Sequence, residues 1–331
     1  MKKILSVSIA AYNVENYIEK ALDSCLIGDA MKKLEVIIVN DGSKDRTAEI
    51  AKSYVEKYPD TFRLIDKPNG GYGSTVNAGI KSATGKYFRL LDGDDWFDSE
   101  QLIKFIALLE KSDEDMIVAR FKRVFEEDGH TEERNESKGI GFKSGKFEDV
   151  HTKDWFTMHA VSYKTKILQE NNITLTEHCF YTDQEYDLLP LKWVETVRFT
   201  QLSVYCYRIG RGEQSVSPEG VEKHYLEQTK VLRRIYSVYA DAINSPATNK
   251  DNYILRYVIK RTRLQVWNYI LITKSPQHKA ELKKFMAMLK NKQPVIYKGV
   301  LDGSRGIKLL VCSNYMLYGY MHNHRVKKYR F

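Results

Sequence analysis

The chain has 331 residues, 43% of them apolar, enough for a sizeable core and too many for a disordered protein. Its length suits one large domain with an appendage. The net charge of +9 is uneven: from Val221 onward there are 22 Lys+Arg against 6 Asp+Glu, a basic segment suited to an anionic surface unless it serves solubility alone.

The N-terminal MKKILSVSIAAYNVE places two lysines before an apolar stretch, but the stretch is short and gives way to Asn13 and Glu15 without a cleavage site. It reads as a first strand, Leu5 to Ala11, rather than a signal peptide. Apolar positions from Val14 to Leu26 recur at helical spacing. Leu34 to Val39 is a dense β-branched run, as in a strand buried on both faces. A helix over Thr47 to Tyr58, a strand over Phe62 to Asp66, a helix over Ser74 to Ala83 and a strand over Tyr87 to Leu91 follow. This βαβαβαβ order predicts a mostly parallel central sheet with flanking helices. A helix at Ser99 to Leu109 and a strand at Asp115 to Arg123 extend it, and residues 126 to 150, rich in Glu, Gly, Lys and Ser, read as a hairpin or excursion near the acceptor side. Val161 to Glu170 reads as a short helix, Tyr181 to Leu189 as a second, and Val197 to Gly210 as one or two strands. From about Glu219 the pattern is helical, over 221 to 241, 250 to 272, 276 to 290 and 304 to 320. The boundary lies near residue 218, giving an α/β domain over 1–218 and a basic helical region over 219–331.

The four cysteines form no CxxC pair, which argues against a disulfide framework or structural zinc site and for a reducing compartment. No window reaches the ~18 uninterrupted apolar residues of a membrane span.

In such a sheet, ligands bind at the carboxyl ends of the strands, where AYNVE, NDGSKD, KPNGGYGS and DGDDW converge. The first loop has no GxGxxG and the chain has no P-loop, which disfavours dinucleotide binding and P-loop ATP hydrolysis. Asp92, Asp94 and Asp95 fall within four positions at the end of an apolar strand. Like charges this close would protonate unless a cation sits among them, and hard oxygen ligands suit Mg²⁺ or Mn²⁺. The bland alternative is a solvated Asp-Gly turn capping the next helix. With Asp41 and Asp45 after the second strand, the set describes a site for a nucleoside diphosphate that departs as a leaving group.

The runs VSIAAYNVENYIEKALDS, EVIIVNDGSKDRT and NGGYGSTVNAGIKSATGKYFRLLDGDDWF resemble the nucleotide-sugar domain of family 2 glycosyltransferases, of GT-A fold. The resemblance is close over residues 4 to 110 and looser to about 217. It implies donor contacts from Ala11, Tyr12, Asn13, Glu15, Asp41, Ser43, Asn69, Gly70, Gly71 and Asn77, with uracil held near the first loop and at Asp41. The DxD motif falls on Asp92, Gly93 and Asp94, with the metal on Asp94 and Asp92. The family's general base falls on Asp183 in FYTDQEY, where Thr182 replaces the usual Glu. Thr182 is expected to cap the following helix in a capping box with Glu185, a placement that favours an ionised Asp183; Asp187 and Glu185 are the alternative bases. YRIGRGEQSVS resembles the family's closing loop, so Arg208, Arg211, Gln214 and Ser215 are expected near the pyrophosphate. His178, though near the site, reads as structural.

The resemblance implies an inverting, metal-dependent transfer of one sugar from a UDP-sugar to a hydroxyl of a glycan or lipid-linked acceptor, in bacterial surface-polysaccharide synthesis in the cytoplasm. The C-terminal helices interleave basic and aromatic residues, which suits peripheral contact with an anionic membrane; a homo-oligomeric bundle is the alternative, and no nucleic-acid module is present. The rival readings are a nucleotidyltransferase of the same fold, although AAYNVEN lacks its glycine- and Lys/Arg-rich signature, and a non-catalytic nucleotide-sugar scaffold.

Overall fold

A computed structural model describes residues 2–210, 218–272 and 275–329. The chain divides into two compact units, Met1–Arg211 and Gly212–Phe331.

The first unit is built on β1 (Leu5–Ala11), β2 (Leu34–Asn40), β3 (Phe62–Asp66) and β4 (Tyr87–Asp92), which pair in parallel. Every residue of β2 is buried, which is why its sequence is continuously apolar rather than alternating. The crossovers carry α1 (Ile18–Asp23), α2 (Thr47–Lys57) and α3 (Tyr72–Ser82). After β4 come the two-residue β5 (Trp96–Phe97), α4 (Ser99–Lys111), β6 (Met116–Phe125), β7 (Thr131–Arg134) and β8 (Ser144–Lys146). Asp98 caps α4, its carboxylate accepting from the Gln101 amide at 3.2 Å. β9 (Val161–Lys164), α5 (Thr165–Glu170), α6 (Asp183–Leu188) and the long β10 (Thr196–Ile209) complete the unit.

The sheet runs β3-β2-β1-β4-β9-β6-β10-β5, with β7 on β6 and β8 on β10. Its centre corrects the sequence reading, which made Val161 to Glu170 one helix. Val161–Lys164 is instead a strand, antiparallel to both β4 and β6, and only Thr165–Glu170 is helical. Without it, β4 and β6 would expose unpaired backbone N–H and C=O groups in the buried middle of the sheet.

The second unit comprises α7 (Pro218–Val238), α8 (Ala240–Asn244), α9 (Asn249–Leu271), α10 (Pro276–Lys292), α11 (Pro294–Asp302), α12 (Arg305–Cys312) and α13 (Tyr318–Tyr329). The helix expected over 304 to 320 is thus broken between α12 and α13, where Asn314 and Tyr315 adopt positive φ. α9 packs against α7, α8, α10, α11 and α13. It buries Tyr253, Tyr257 and Tyr269 along with Thr262 and Gln265. The two buried polar groups are satisfied: Gln265 Nε2 donates to the Tyr225 carbonyl at 2.6 Å, and Thr262 Oγ1 meets the Tyr236 hydroxyl at 2.7 Å. Most aromatic residues of this basic stretch therefore form the bundle core. No helix among the described residues is long and apolar enough to cross a membrane.

Candidate active site

The acidic loop is fixed from below and from the side. Gly93 donates its amide to the Ala10 carbonyl at 3.0 Å, and a Cβ there would stand 2.8 Å from that oxygen, so the tight exit from β4 requires glycine. Asp95 turns inward: its Oδ2 accepts from the Tyr205 hydroxyl at 2.6 Å and its Oδ1 from the Arg208 amide at 2.7 Å. The Tyr205 oxygen also accepts from the Asp92 amide at 3.2 Å. β10 thereby grips the loop at two points. Arg208 adds a third through its Nε, which donates to the Asp94 carbonyl at 2.7 Å.

Asp92 is the electrostatically loaded member. Its Oδ1 is buried and has no hydrogen-bond partner among the described residues. Burial, then the charges of Asp94 and Asp183, raise its pKa to about 7, against the opposing hydrogen bond of Tyr72. The same proximity acts on Tyr72, whose pKa is pushed well above the ordinary phenol value by burial, by Asp92 and by Asp183. Asp92 from the end of β4 and Asp183 from the start of α6 are therefore neighbours, with the Tyr72 phenol beside both.

The approach to α6 is built differently from the sequence expectation. Thr182 precedes the helix but makes no side-chain cap, and its buried hydroxyl has no partner among the described residues. Glu185 does not reach back to it. The Glu185 carboxylate accepts from the Thr176 amide at 2.6 Å and the Thr176 hydroxyl at 2.7 Å. The expected capping box is thus replaced by a clamp on the preceding segment, because Thr182 lies near helical φ/ψ (−76°, −9°) rather than in the extended conformation a capping residue adopts.

The donor loops hold one another. Asn13 donates its amide to Ser43 Oγ at 3.0 Å and accepts from the Lys44 amide at 2.8 Å, while Glu15 accepts from the Arg46 amide at 2.9 Å. Asp41 is buried and receives the Gly70 and Gly71 amides at 2.9 and 2.8 Å and Lys67 Nζ at 2.7 Å. Asn69 Nδ2 donates to the Asp41 carbonyl at 3.0 Å. Gly71, at φ 78°, packs against the backbone of His178, whose amide donates to the Gly70 carbonyl at 2.6 Å. Asn77 bonds both backbone groups of Leu175, accepting at 2.7 Å and donating at 3.0 Å. Tyr12, the residue after the end of β1, is 49% exposed.

The structure therefore gathers the first-strand loop, the Asp41 loop, the Gly70–Gly71 loop, the acidic loop and Asp183 along the carboxyl ends of the parallel strands. Asn13, Glu15, Asp41, Asn69 and Asn77 act there as ties between loops. Arg208 lies between the Tyr17 and Trp96 rings, 4.8 and 4.9 Å from their centroids, and its Nη1 donates to Glu126 at 2.5 Å. Arg211, Gln214 and Ser215 lie outside the described residues. Sequence reasoning missed Tyr72, Tyr205 and His159. The ligand atoms of His159, Asp92 and Asp95 lie within 4.8 Å of one another, a group that does not include Asp94. Alternation marked Tyr205 only as a strand residue, and nothing in the spacing distinguished His159.

The profile of glycosyl transferase family 2 matches residues 6–186. The chain is 25% identical over 310 residues to the uncharacterized glycosyltransferase EpsJ of Bacillus subtilis, covering 84% of this chain and 87% of that one. In fold it resembles S. aureus TarS 1-349 solved with UDP-GlcNAc, with TM-score 0.66 at 20% identity over 99% of this chain and 89% of that one. It also resembles the mannosyltransferase PcManGT of Pyrobaculum calidifontis solved with GDP-Man and Mn²⁺, with TM-score 0.53 at 14% identity over 99% and 87%. These likenesses agree with the GT-A reading of the sheet and its flanking helices. The profile covers more than half of the chain, and it includes the acidic loop and Asp183: the protein belongs to glycosyl transferase family 2 and is a glycosyltransferase.

Proposed function

We propose that this enzyme transfers one sugar from a UDP-sugar to a hydroxyl of a glycan or lipid-linked acceptor, with inversion at the anomeric carbon and with a divalent cation, Mn²⁺ or Mg²⁺. The observation that carries this reading is the proximity of Asp92 and Asp183, two carboxylates from distant segments set beside one phenol at the strand ends. The UDP-GlcNAc complex of the similar TarS fold supports the choice of donor class.

The residues present fit a cation. A buried carboxylate oxygen without a partner, flanked by two further aspartates, has the chemistry of an incomplete coordination shell. Asp92 and Asp94 would hold the ion, which when bound neutralises the departing diphosphate as a Lewis acid. The exposed Tyr12 ring offers a face for the base. Asp183 takes the proton from the acceptor hydroxyl as its oxygen bonds to the anomeric carbon, while the bond from that carbon to UDP breaks on the opposite face. One displacement converts an α-linked donor into a β-linked product. Arg208, held over Trp96, supports the acidic loop and the diphosphate side of the site.

The basic second unit suits contact with the cytoplasmic face of an anionic membrane, near lipid-linked acceptors of surface-polysaccharide synthesis. Leu309, Met316 and Tyr320 are exposed around the α12–α13 turn, on a unit rich in Lys and Arg.

The test is UDP release from a panel of UDP-sugars with Mn²⁺, Mg²⁺ or chelator, comparing wild type with Asp94→Ala and Asp183→Ala. Both substitutions should abolish most turnover. Release unaffected by either would place the reaction elsewhere.

A further inference from the structure

His159 lies at the carboxyl end of β4 and belongs to none of the family motifs. β9 runs antiparallel to β4, with Tyr87 opposite Lys164 and Phe88 opposite Tyr163. Continuing that register four residues further brings His159 level with Asp92. The imidazole is fixed by rings: Phe121 stacks on it at 5.2 Å, Tyr207 lies at 4.5 Å, and Tyr205 meets it edge-on at 5.0 Å between centroids. Its carbonyl accepts from the buried Arg89 guanidinium, which also donates to the Ala160 carbonyl at 3.1 Å and Ser162 Oγ at 3.0 Å. Ring and backbone are therefore both held in place.

A histidine serving only as a packing ring has no need of two carboxylates at its edge. Here a ring nitrogen lies within 4.8 Å of ligand oxygens of both Asp92 and Asp95. The Asp95 oxygens already receive Tyr205 and Arg208, whereas Asp92 Oδ1 is buried without a partner among the described residues. The hydrogen-bond pattern also favours one tautomer. The Thr157 hydroxyl donates to Glu136 at 2.9 Å, so toward His159 Nδ1, at 3.5 Å, it accepts. The proton then sits on Nδ1 and the lone pair on Nε2.

We propose that His159 supplies a ring-nitrogen ligand, beside Asp92, to the divalent cation of the donor site. This rests on the reading of that site as cation-dependent and deepens it. A mixed nitrogen and oxygen set discriminates among ions: an imidazole favours Mn²⁺ over Mg²⁺, whose preference is for oxygen alone.

The experiment is Mn²⁺ binding to the full chain in the presence of UDP, followed by electron spin-echo modulation on protein labelled with ¹⁵N at histidine. Wild type should show a directly bound nitrogen whose signal changes between ¹⁴N- and ¹⁵N-labelled protein. His159→Phe keeps an aromatic ring in the stack and should lose that signal, binding Mn²⁺ about tenfold or more weakly with little change for Mg²⁺. Mn²⁺ bound with affinity that depends on Asp94 but without nitrogen coupling would overturn the assignment and leave the cation-dependent site standing. Absence of Mn²⁺ binding would overturn both. Should His159→Phe fail to fold, the isotope effect on wild type alone decides.

Discussion

The Tyr205 hydroxyl donates to Asp95 Oδ2 across 2.6 Å, joining residues 110 positions apart and fixing the acidic loop to β10. The same oxygen accepts from the Asp92 amide, so one phenol sets both ends of the DGDD turn. Tyr205→Phe leaves the ring in place against Phe97 but removes both contacts. The expected cost is on the order of 1–3 kcal/mol, since a buried carboxylate loses a donor and a buried amide its acceptor. Urea denaturation checks the stability, and a fall in kcat larger than any rise in KM would show that the turn positions the reacting groups.

Gly93→Ala tests the same turn from below. Its Cβ would meet Ala10 O at 2.8 Å and Val14 Cγ2 at 3.0 Å, and the former is backbone that cannot swing aside. The prediction is a loss of about 1–3 kcal/mol and of UDP affinity together, because the end of β1 and the acidic loop must separate. Isothermal titration with UDP and Mn²⁺ reads the second effect.

Asn77 gives a prediction that separates positioning from donor contact. It bonds both backbone groups of Leu175 and also reaches Glu177 at 3.1 Å, on the segment leading to Asp183. Asn77→Ala should lower kcat while leaving the UDP dissociation constant within about twofold. A large loss of UDP binding with kcat preserved would instead put Asn77 in the donor pocket.

The pH dependence of stability has one clear local source in Glu136. Burial raises its pKa to about 7, only partly opposed by the Thr157 amide and hydroxyl. A carboxyl with a raised folded pKa binds its proton more tightly when folded. Its contribution is therefore fully present below the unfolded value of 4.5 and is lost as pH rises toward about 7. Across that window wild type should lose on the order of 1–3 kcal/mol relative to Glu136→Gln. Thermal denaturation of both proteins between pH 4.5 and 7.5 checks the sign.

The parallel half of the sheet was legible in the sequence because buried parallel strands are continuous β-branched runs and the crossovers between them are long. β9 was not, since four residues of VSYK before a helical TKILQE carry no period of their own; only the pairing needs of β4 and β6 make them a strand. The break after α12 escaped for a related reason, as Asn314 and Tyr315 enter positive φ without a glycine or proline to mark it. In the site, Asp92 and Asp183 were readable from motifs, but their neighbours Tyr72, Tyr205 and His159 were not. Their roles come from tertiary placement, where β10 brings Tyr205, the segment entering β9 brings His159 and the start of α3 brings Tyr72, and linear spacing does not encode those contacts.

The most direct measurement is the turnover of Asp183→Asn with a donor and acceptor that the wild-type enzyme uses, alongside UDP–Mn²⁺ binding. Replacing the carboxylate by an isosteric amide removes the proton acceptor and leaves the donor loops untouched. The account predicts a fall in kcat of about 10²- to 10⁴-fold with UDP affinity unchanged. Turnover within a few-fold of wild type would contradict it.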